Sequence, residues 1–347
     1  MNILIDAFGG DHAPLEVIQG AVRAVQELGV TVTLVGAENQ IRQCAEEHHL
    51  SLDGLQILHA PTVFDIHEEP STLLKQHADS SMAVGMQALH DGNGDAFVSA
   101  GSTGALLMGA TFLVKRIRGV KRAALAPILP TATTPFMLLD AGANNDCRPE
   151  MLVQFAVMGE IYAQYLFHLE RPRVGLLSVG GEDIKGCELT KESFRLLEDV
   201  PINFIGNVEA DVVFEGASDV LISDGFAGNV LLKGVEGLAK STMFWLKRVL
   251  TKNALRIVGA ILAKNAFREL KAFGDADDIG GAPLLGINGI CIIGHGSSSP
   301  KAVRNAIRVA GECVTFGLNE RIVAKINEAG CTTAELEKKI ADAKSRK

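Results

Sequence analysis

The sequence predicts an α/β protein built on a mostly parallel sheet. Short apolar runs with the pattern of buried strands alternate with longer stretches that suit helices, which is the order of repeated strand–helix units. Glycine is abundant, with 36 residues among 347, and 47% of the chain is hydrophobic. Because single hydrophobic cores stop growing at roughly 250–300 residues, we expect two lobes or a protruding subdomain.

The strands are predicted from apolar runs that end in polar, glycine-containing turns. The first run, NILI, ends at Asp6, and later runs repeat this arrangement. Clusters of Gly with Asp, Asn, Ser or Lys follow several strands and none precedes them, which favours one site at the carboxyl edge of a parallel sheet. The predicted strands cover residues 2–5, 30–36, 55–60, 96–98, 124–131, 136–142, 173–180, 202–209, 219–225 and 290–296.

The helices are predicted where longer stretches separate these strands. Pro149 suits the first turn of one of them, because the missing N–H of proline is not needed there. The predicted helices cover residues 15–28, 38–49, 71–90, 105–114 and 301–327, with others that begin near 149, after 190 and after 229. The charged residues 331–347 are predicted to form a surface helix or a tail.

Composition excludes several functional classes. The net charge of −8 argues against a general nucleic-acid binder. Six scattered cysteines without a CxxC pair argue against a zinc cage or a disulfide framework and fit reduced thiols in a cytosol. The histidines show no metal-ligand spacing with acids, so we expect no metal site, and no sequence motif predicts a cofactor. The first residues lack a signal-peptide pattern and no apolar run approaches the roughly 20 residues that span a bilayer, so we expect a cytoplasmic protein.

The stretch at residues 95–114 is a strand, a polar turn and a helix. Free N–H groups and the positive end of the helix dipole would meet at the turn, and its glycines and hydroxyls let an oxyanion approach. Phosphate is the simplest such ligand. The glycine spacing matches neither a dinucleotide fingerprint nor a P-loop. The alternative is an ordinary turn with a Ser or Thr cap. The candidate phosphate ligands here are Ser99, Gly101, Ser102, Thr103 and Gly104.

Other strand ends carry further candidates for binding an anionic substrate. The loop at residues 9–12 follows the first strand, although its glycines also fit a plain turn. His295 follows the last strand and is either a donor to phosphate or carbonyl or a structural turn histidine. No GxSxG elbow and no nucleophile with a placed base is evident, so the residues favour electrostatic stabilisation over a covalent relay. These candidates are Gly9, Gly10, Asp11, His12, Asp140, Asn144, Asp146, Lys185, Asp224, Asn229, His295, Gly296 and Ser297.

Two basic regions are candidate contact surfaces. The segment KRIRGVKR at residues 115–122 is either a solvated helix end or a docking surface for an acidic partner. Residues 240–271 carry eight cations and one acid around the apolar run LRIVGAILA, which suits a tip lying in a membrane interface or a hairpin packed in a dimer. The candidate contact residues are Lys115, Arg116, Arg118, Lys121, Arg122, Leu255, Arg256, Val258, Ile261 and Leu262.

Nine motifs in order resemble a known family. They are IDAFGGDHAP, VSAGSTGA, LAPILPT, LLDAGANNDC, ELTKESF, NFIGNVE, SDGFAGNVLLK, GGAPLLGING and HGSS, and the match runs from residue 2 to about 310. The set resembles the PlsX-type acyl-ACP:phosphate acyltransferases of bacterial phospholipid synthesis. Two positions depart from the family pattern: Ser102 stands where relatives usually have Asn, and Cys187 stands where they often have Asn. Neither departure breaks the match, and we assign no role to Cys187.

The resemblance implies a homodimeric three-layer α/β/α protein, similar in fold to phosphotransacetylases and to isocitrate and isopropylmalate dehydrogenases. We expect one two-lobed catalytic domain over residues 1–332, a protruding helical hairpin at 236–272 for dimer and membrane contact, and a charged tail at 333–347. The implied reaction converts acyl-[acyl carrier protein] and phosphate to acyl phosphate and free carrier protein. The product would feed a membrane glycerol-3-phosphate acyltransferase, and the enzyme would associate peripherally with an anionic membrane.

Under this resemblance, Ser102 and Thr103 would hold phosphate, and Lys185 would neutralise charge on phosphate or on the tetrahedral oxyanion. His12, Asn144, Asn229 and His295 would polarise the carbonyl or position the donor, and the aspartates would orient these groups. Three other hypotheses stay open: a phosphotransacylase that uses coenzyme A, an NAD-linked decarboxylating dehydrogenase of the same fold, and a non-catalytic membrane scaffold. The dehydrogenase would need a metal-binding Asp set and a substrate Arg cluster, which the sequence does not display.

Overall fold

The computed structural model describes residues 1–131, 133–273 and 276–345. Its strands are β1 (Asn2–Asp6), β2 (Thr31–Gly36), β3 (Leu55–His59), β4 (Ala96–Ser99), β5 (Ala124–Leu125), β6 (Ile128–Leu129), β7 (Phe136–Leu139), β8 (Val174–Leu177), β9 (Phe204–Val208), β10 (Val220–Ile222), β11 (Ala282–Leu285) and β12 (Ile290–Ile293).

Helices cover both faces of these strands and extend beyond them. They are α1 (Leu15–Leu28), α2 (Glu38–Glu47), α3 (Ser81–His90), α4 (Thr103–Gly109), α5 (Pro149–Leu166), α6 (Glu188–Leu197), α7 (Gly225–Leu250), α8 (Ala254–Leu262), α9 (Lys264–Phe273), α10 (Ala276–Ile279), α11 (Pro300–Phe316), α12 (Leu318–Glu328) and α13 (Thr333–Ser345). Shorter helical segments lie at Pro70–Leu74, Ala110–Val114 and Val212–Glu215.

The strands form two sheets, whereas the sequence predicts one mostly parallel sheet. The first has the order β3-β2-β1-β4-β12-β11-β5, and the second has the order β6-β7-β10-β8-β9. The pairs among β3, β2, β1, β4 and β12 are parallel, as are β7–β10, β10–β8 and β8–β9. The antiparallel pairs are β11–β12, β11–β5 and β6–β7, so antiparallel pairing is confined to the sheet ends where the lobes meet.

Alternate residues of the central strands pack into different cores. In β1, Ile3 and Ile5 lie with α1 and α11 in one core, while Leu4 lies with Met82 of α3 in another. All three strand residues are at most 2% exposed. Parallel strands covered on both faces read as continuous apolar runs, which is why NILI predicts a strand. The three-layer α/β/α architecture is therefore confirmed.

The two sheets are connected where β5 contacts the turn that follows β7. The Ala141 N–H donates to the carbonyl oxygen of Leu125, and the Leu125 N–H donates to Oδ1 of Asp140 at 3.0 Å. The predicted strand at 124–131 is therefore two short strands, one in each sheet. Pro127 lies between them, where its missing N–H removes a ladder donor.

Several predicted elements differ from the structure. Residues 71–90 hold a short helical turn and then α3, which begins after Ser80, whose side chain accepts from the Ala83 N–H. The predicted helix at 301–327 is α11 and α12, which separate at Gly317 with φ +66°, a left-handed conformation that ends helices. The helix predicted at 105–114 begins at Thr103 and ends in a π-turn. Strand β11 is absent from the predicted strands.

Helices α7, α8 and α9 form an exposed extension. Gly225 and Gly228 are the buried residues of α7, and α8 has none. The exposed apolar side chains include Trp245, Leu255 at 83% and Leu262 at 84%. Among the described residues, no helix has the length and apolar character needed to cross a bilayer. A helix, α13, forms the predicted C-terminal segment, whose residues 346–347 lie outside the described residues.

Candidate active site

Three loops meet at the carboxyl edge of the first sheet. They follow β1, β4 and β12, which are neighbouring parallel strands. The Asp11 N–H donates to the Gly296 carbonyl at 2.7 Å, which joins the first loop to the third. A Cβ on Gly9 would lie 2.8 Å from Oγ of Ser99 and 2.9 Å from the Gly101 nitrogen. The first and second loops are therefore in direct contact, as the strand-end pattern predicts.

Asp6, the last residue of β1, fixes the loops after β1 and β4 through hydrogen bonds. It is not among the site residues predicted from the sequence. It is 3% exposed, and its Oδ2 accepts a 2.8 Å hydrogen bond from the Ser99 hydroxyl. The Phe8 N–H donates to Oδ1 at 3.2 Å, and the Gly101 N–H donates to Ser99 at 3.1 Å. Burial raises the pKa of Asp6, and the hydrogen bonds from the Ser99 hydroxyl and the Phe8 N–H oppose that shift. A carboxylate that ends an apolar strand is the signal that could have identified it.

The turn before α4 offers unused hydrogen-bond donors. The Ser102 hydroxyl accepts from the Ala105 N–H at 3.4 Å, so the residue caps the helix, as the alternative interpretation of this turn expects. Within the described part of the chain, the backbone N–H groups of Ser102, Thr103 and Gly104 have no protein acceptor. Exposed donors of this kind at a helix start suit an anion. The cap and the anion site are therefore compatible.

Asp140 organises the turn after β7 in the second sheet. It is fully buried, and its Oδ1 accepts from the N–H groups of Leu125, Gly142 and Ala143 at 3.0–3.2 Å. Its Oδ2 accepts from the backbone and side-chain nitrogens of Asn144 at 2.7 and 2.9 Å. Burial raises the pKa of Asp140, and these N–H donors oppose that shift. The carboxyl orients the loop and Asn144, which is the role expected of the aspartates.

The start of α7 packs directly on this turn. Asp224 caps the helix by accepting from the Ala227 N–H at 2.7 Å, and the Gly225 N–H donates to the Asn144 carbonyl at 2.8 Å. A Cβ on Gly228 would lie 1.9 Å from the Asp140 carbonyl oxygen, so only glycine fits there. Asn229 is next in the chain, and its side chain lies 3.5 Å from the Cβ that Gly142 lacks. Asn144 and Asn229 are thus brought to one surface.

Lys185 lies in the loop after β8, in the same lobe. The loop is held by the Asn207 side-chain amide, which donates to the Glu182 carbonyl at 2.8 Å, and by the Gly181 N–H, which donates to Oε1 of Glu209. Lys185 itself is exposed, and among the described residues its ammonium group has neither a hydrogen-bond acceptor nor an ion-pair partner. A cation in this position is available to an anionic ligand.

The remaining predicted residues are at the surface of these loops. His295 Nδ1 lies 2.8 Å from the Ser297 hydroxyl and accepts from the Ser297 N–H, so it stabilises its own turn. His12 and Asp146 are exposed. In the described ranges no hydrogen bond joins the three loops of the first sheet to Lys185 or Asn229. A shared role for the two groups stays a prediction.

The basic segment at residues 115–122 is partly used in the fold. Lys121 pairs with Glu337 and lies 3.9 Å from Glu150, and Arg116 donates to the Lys121 carbonyl. Arg118 and Arg122 are exposed and have no partner among the described residues. Lys115 Nζ lies 3.5 Å from Nε2 of His90, so within the described ranges these two arginines are the cations of the segment that are free to meet a partner.

Known proteins match nearly the whole length of the chain. The family model described as "Fatty acid synthesis protein" matches residues 1–321. The chain is 46% identical over 327 residues to the phosphate acyltransferase of Pelotomaculum thermopropionicum, covering 94% of this chain and 95% of the relative. It is 40% identical over 330 residues to the phosphate acyltransferase of Dictyoglomus turgidum, covering 94% and 98%.

Solved structures support the fold. A phosphotransacetylase from Streptococcus pyogenes matches with a TM-score of 0.63 and 15% identity, covering 91% of this chain and 94% of that one. The EutD phosphotransacetylase from Staphylococcus aureus matches with a TM-score of 0.58 and 16% identity, covering 90% and 94%. These likenesses confirm the phosphotransacetylase-related fold. The matches to the family model and to the phosphate acyltransferases show that the chain belongs to the fatty acid synthesis protein family.

Proposed function

We propose that this protein is a phosphate acyltransferase that moves the acyl group of acyl-[acyl carrier protein] to inorganic phosphate. The single observation that carries the proposal is the extended identity to phosphate acyltransferases. The unpaired N–H groups at the turn before α4 support it, because they provide a place for the phosphate that such a reaction consumes. The acyl phosphate would serve phospholipid synthesis through a membrane glycerol-3-phosphate acyltransferase.

Phosphate near neutral pH is already a nucleophile, so the task of the protein is to hold it against the thioester carbonyl. Ser102, Thr103 and the free N–H groups bind the phosphate. A phosphate oxygen forms a bond to the carbonyl carbon, the carbon–sulfur bond breaks, and the carrier thiolate leaves and takes a proton. Lys185 and Asn229 stabilise the negative oxygen of the tetrahedral intermediate, with His12 and His295 as further donors. Asn144 donates its side-chain amide to Asp140 and to the Ala123 carbonyl, so it positions the turn against α7.

The first experiment measures free carrier-protein thiol released from palmitoyl-carrier protein, with and without phosphate. Phosphate-dependent release with an acid-labile acyl phosphate as product supports the proposal. Release without phosphate would identify a thioesterase, and no release from a folded protein that binds vesicles would favour a scaffold. The same assay with palmitoyl-coenzyme A as donor tests the coenzyme A alternative that the phosphotransacetylase neighbours raise.

Ser102 is expected to affect phosphate use. In Ser102→Ala, one hydroxyl and the cap of α4 are lost, so we expect the KM for phosphate to rise roughly tenfold to a hundredfold, since one hydrogen bond to a charged group contributes roughly 1.5–3 kcal/mol. Ser102→Asn, which keeps a capping side chain and adds an amide donor, is expected to retain activity. Steady-state kinetics over a range of phosphate concentrations measures both variants. An unchanged KM in Ser102→Ala would remove the side chain from the phosphate site.

Arg118 and Arg122 form the proposed contact with the acidic carrier protein. Reversing both charges is expected to raise the KM for acyl-carrier protein roughly threefold to thirtyfold at low salt, and less at high salt. Arg195→Glu, a reversal on α6, is the control and should not change the KM. Equal salt dependence in the double variant and the unmodified protein would exclude this surface.

The exposed extension of α7–α9 is the proposed site of peripheral membrane contact, with dimer packing at its base. Leu255 and Leu262 present apolar surface, and the surrounding cations suit anionic headgroups. We expect Leu255→Glu with Leu262→Glu to lower binding to anionic vesicles more than tenfold, because burying each leucine contributes about 1.5–3 kcal/mol. Vesicle sedimentation measures this, with Ile66→Glu, at an exposed apolar position in the loop after β3, as control. Sedimentation equal to that of the control would refute the assignment.

A further inference from the structure

A cavity of about 700 Å³ opens beside the proposed site in the second lobe. It lies between the carboxyl ends of β8 and β9 and the starts of α6 and α7, and it shares Asp224 and Ala227 with the α7 N-terminus described above. Its volume falls within the range of small-molecule sites. The lining residues include Leu152, Leu176, Leu177, Val179, Leu189 and Ala210.

The charged groups of this cavity restrict its occupant. Its lining contains Glu209, Asp211 and Asp224 and includes no Lys, Arg or His among the described residues. The phosphate of a carrier-protein prosthetic arm or of coenzyme A would be repelled by three carboxylates. An uncharged hydrocarbon chain would be accepted, because the leucine side chains would remove it from water.

We propose that this cavity receives the acyl chain of the donor and that Leu177 and Leu189 set the preferred chain length. The inference rests on the proposed function, since only an acyl donor brings a hydrocarbon chain to this edge. Asp224 and Ser223 border the cavity on the side where Asn144 meets α7, so a chain that enters it leaves its carbonyl at the proposed reaction edge.

Both leucines have side chains that are partly buried at the ends of regular elements. Leu177 is the last residue of β8, and Leu189 lies in the first turn of α6. Each methylene that the cavity buries is worth about a fourfold change in binding. A larger side chain that displaces a few methylenes therefore discriminates against long chains and leaves short chains unaffected.

The first test compares palmitoyl- and octanoyl-carrier protein as donors. In Leu189→Trp, we expect the ratio of kcat/KM for palmitoyl-carrier protein to that for octanoyl-carrier protein to fall at least tenfold. In Leu177→Ala, which enlarges the cavity, we expect this ratio to stay equal or to rise. Leu169→Trp makes the same substitution in the loop before β8, at the opposite edge of the sheet, and is the control. If Leu189→Trp fails to fold, Leu177→Phe replaces it. An unchanged ratio in folded Leu189→Trp, or in folded Leu177→Phe where it replaces that variant, overturns the proposal.

A second test measures occupancy of the cavity without turnover, through the reactivity of the Cys187 thiol in its lining. Cys187 is the exposed one of the six free cysteines. Tetradecanol, an uncharged hydrocarbon chain, is expected to slow its modification by a maleimide, with Cys187→Ser defining the background from the other thiols, and to lose this effect in Leu189→Trp. Unslowed modification in excess tetradecanol would overturn the proposal. If wild-type protein shows no phosphate-dependent release with either donor, the proposed function fails while the labelling result still decides the cavity.

Discussion

Replacing Lys185 by Ala is expected to lower kcat at least a hundredfold while the protein remains folded. The ammonium group is exposed and unpaired among the described residues, so its removal breaks no ion pair. Loss of one group that stabilises a developing oxyanion typically costs about 10²–10³-fold in rate. Single-turnover release of carrier thiol at saturating phosphate measures the effect, and circular dichroism confirms the fold.

Two variants separate this role from a general effect of charge. Lys185→Arg keeps the charge but changes its geometry, so we expect partial recovery. Lys191→Ala removes an exposed lysine from α6, close in sequence, and should leave kcat unchanged. If Lys185→Ala and Lys191→Ala have the same kcat, Lys185 is not part of the site and the stabilising role falls to Asn229 and the histidines.

The meeting of three predicted loops follows from one rule applied to the sequence. Parallel strands place their carboxyl ends at one edge, so the polar turns that follow the predicted strands, those of Gly9, Ser102 and Gly296 among them, are expected at the same edge. The structure confirms that their loops touch, through Asp11, Gly296 and the close packing of Gly9. The rule depends only on strand direction, and apolar runs predict buried strands well.

Other features depend on contacts between distant residues and could not be predicted. Asp6 and Ser99 are 93 positions apart, and their hydrogen bond exists because β1 and β4 are neighbours in the sheet. The cavity beside α6 forms where the ends of β8 and β9 meet the starts of α6 and α7. No local sequence pattern encodes the distances between these four elements. The helix boundary between α11 and α12 at Gly317 could not be predicted for another reason. An isolated glycine within an apolar helical pattern is often tolerated and need not end the helix.

Asp140→Asn is expected to lower the free energy of unfolding by about 2–5 kcal/mol at neutral pH and to abolish most activity. Five N–H groups point at the two carboxyl oxygens. Asparagine replaces one carboxyl oxygen by an NH₂ group, which faces the N–H donors of the turn and cannot accept from them. Each buried donor left without an acceptor costs about 1–3 kcal/mol. Because the same turn positions Asn144 against α7, the loss of stability and the loss of activity have one cause. Chemical denaturation and the thiol-release assay measure them.

The pH dependence of the loss of stability in Asp140→Asn tests whether the carboxyl group of Asp140 causes it. Burial raises the pKa of Asp140 in the folded protein above its value in the unfolded chain. The folded state therefore holds this proton to higher pH, so the contribution of proton binding to stability is complete below the ordinary aspartate pKa of about 3.9 and declines as the pH rises through the raised value. The Asn variant has no titrating group there, while other titrations are common to both proteins.

The difference in free energy of unfolding between the unmodified protein and Asp140→Asn should therefore narrow from about pH 4 toward neutrality. It should not vanish, because the N–H donors of the turn still need their acceptor. A variant as stable as the unmodified protein at every pH would show that the turn does not depend on this carboxylate, and Asn144 would then be held by its hydrogen bonds with the Ala123 carbonyl and the Gly225 N–H.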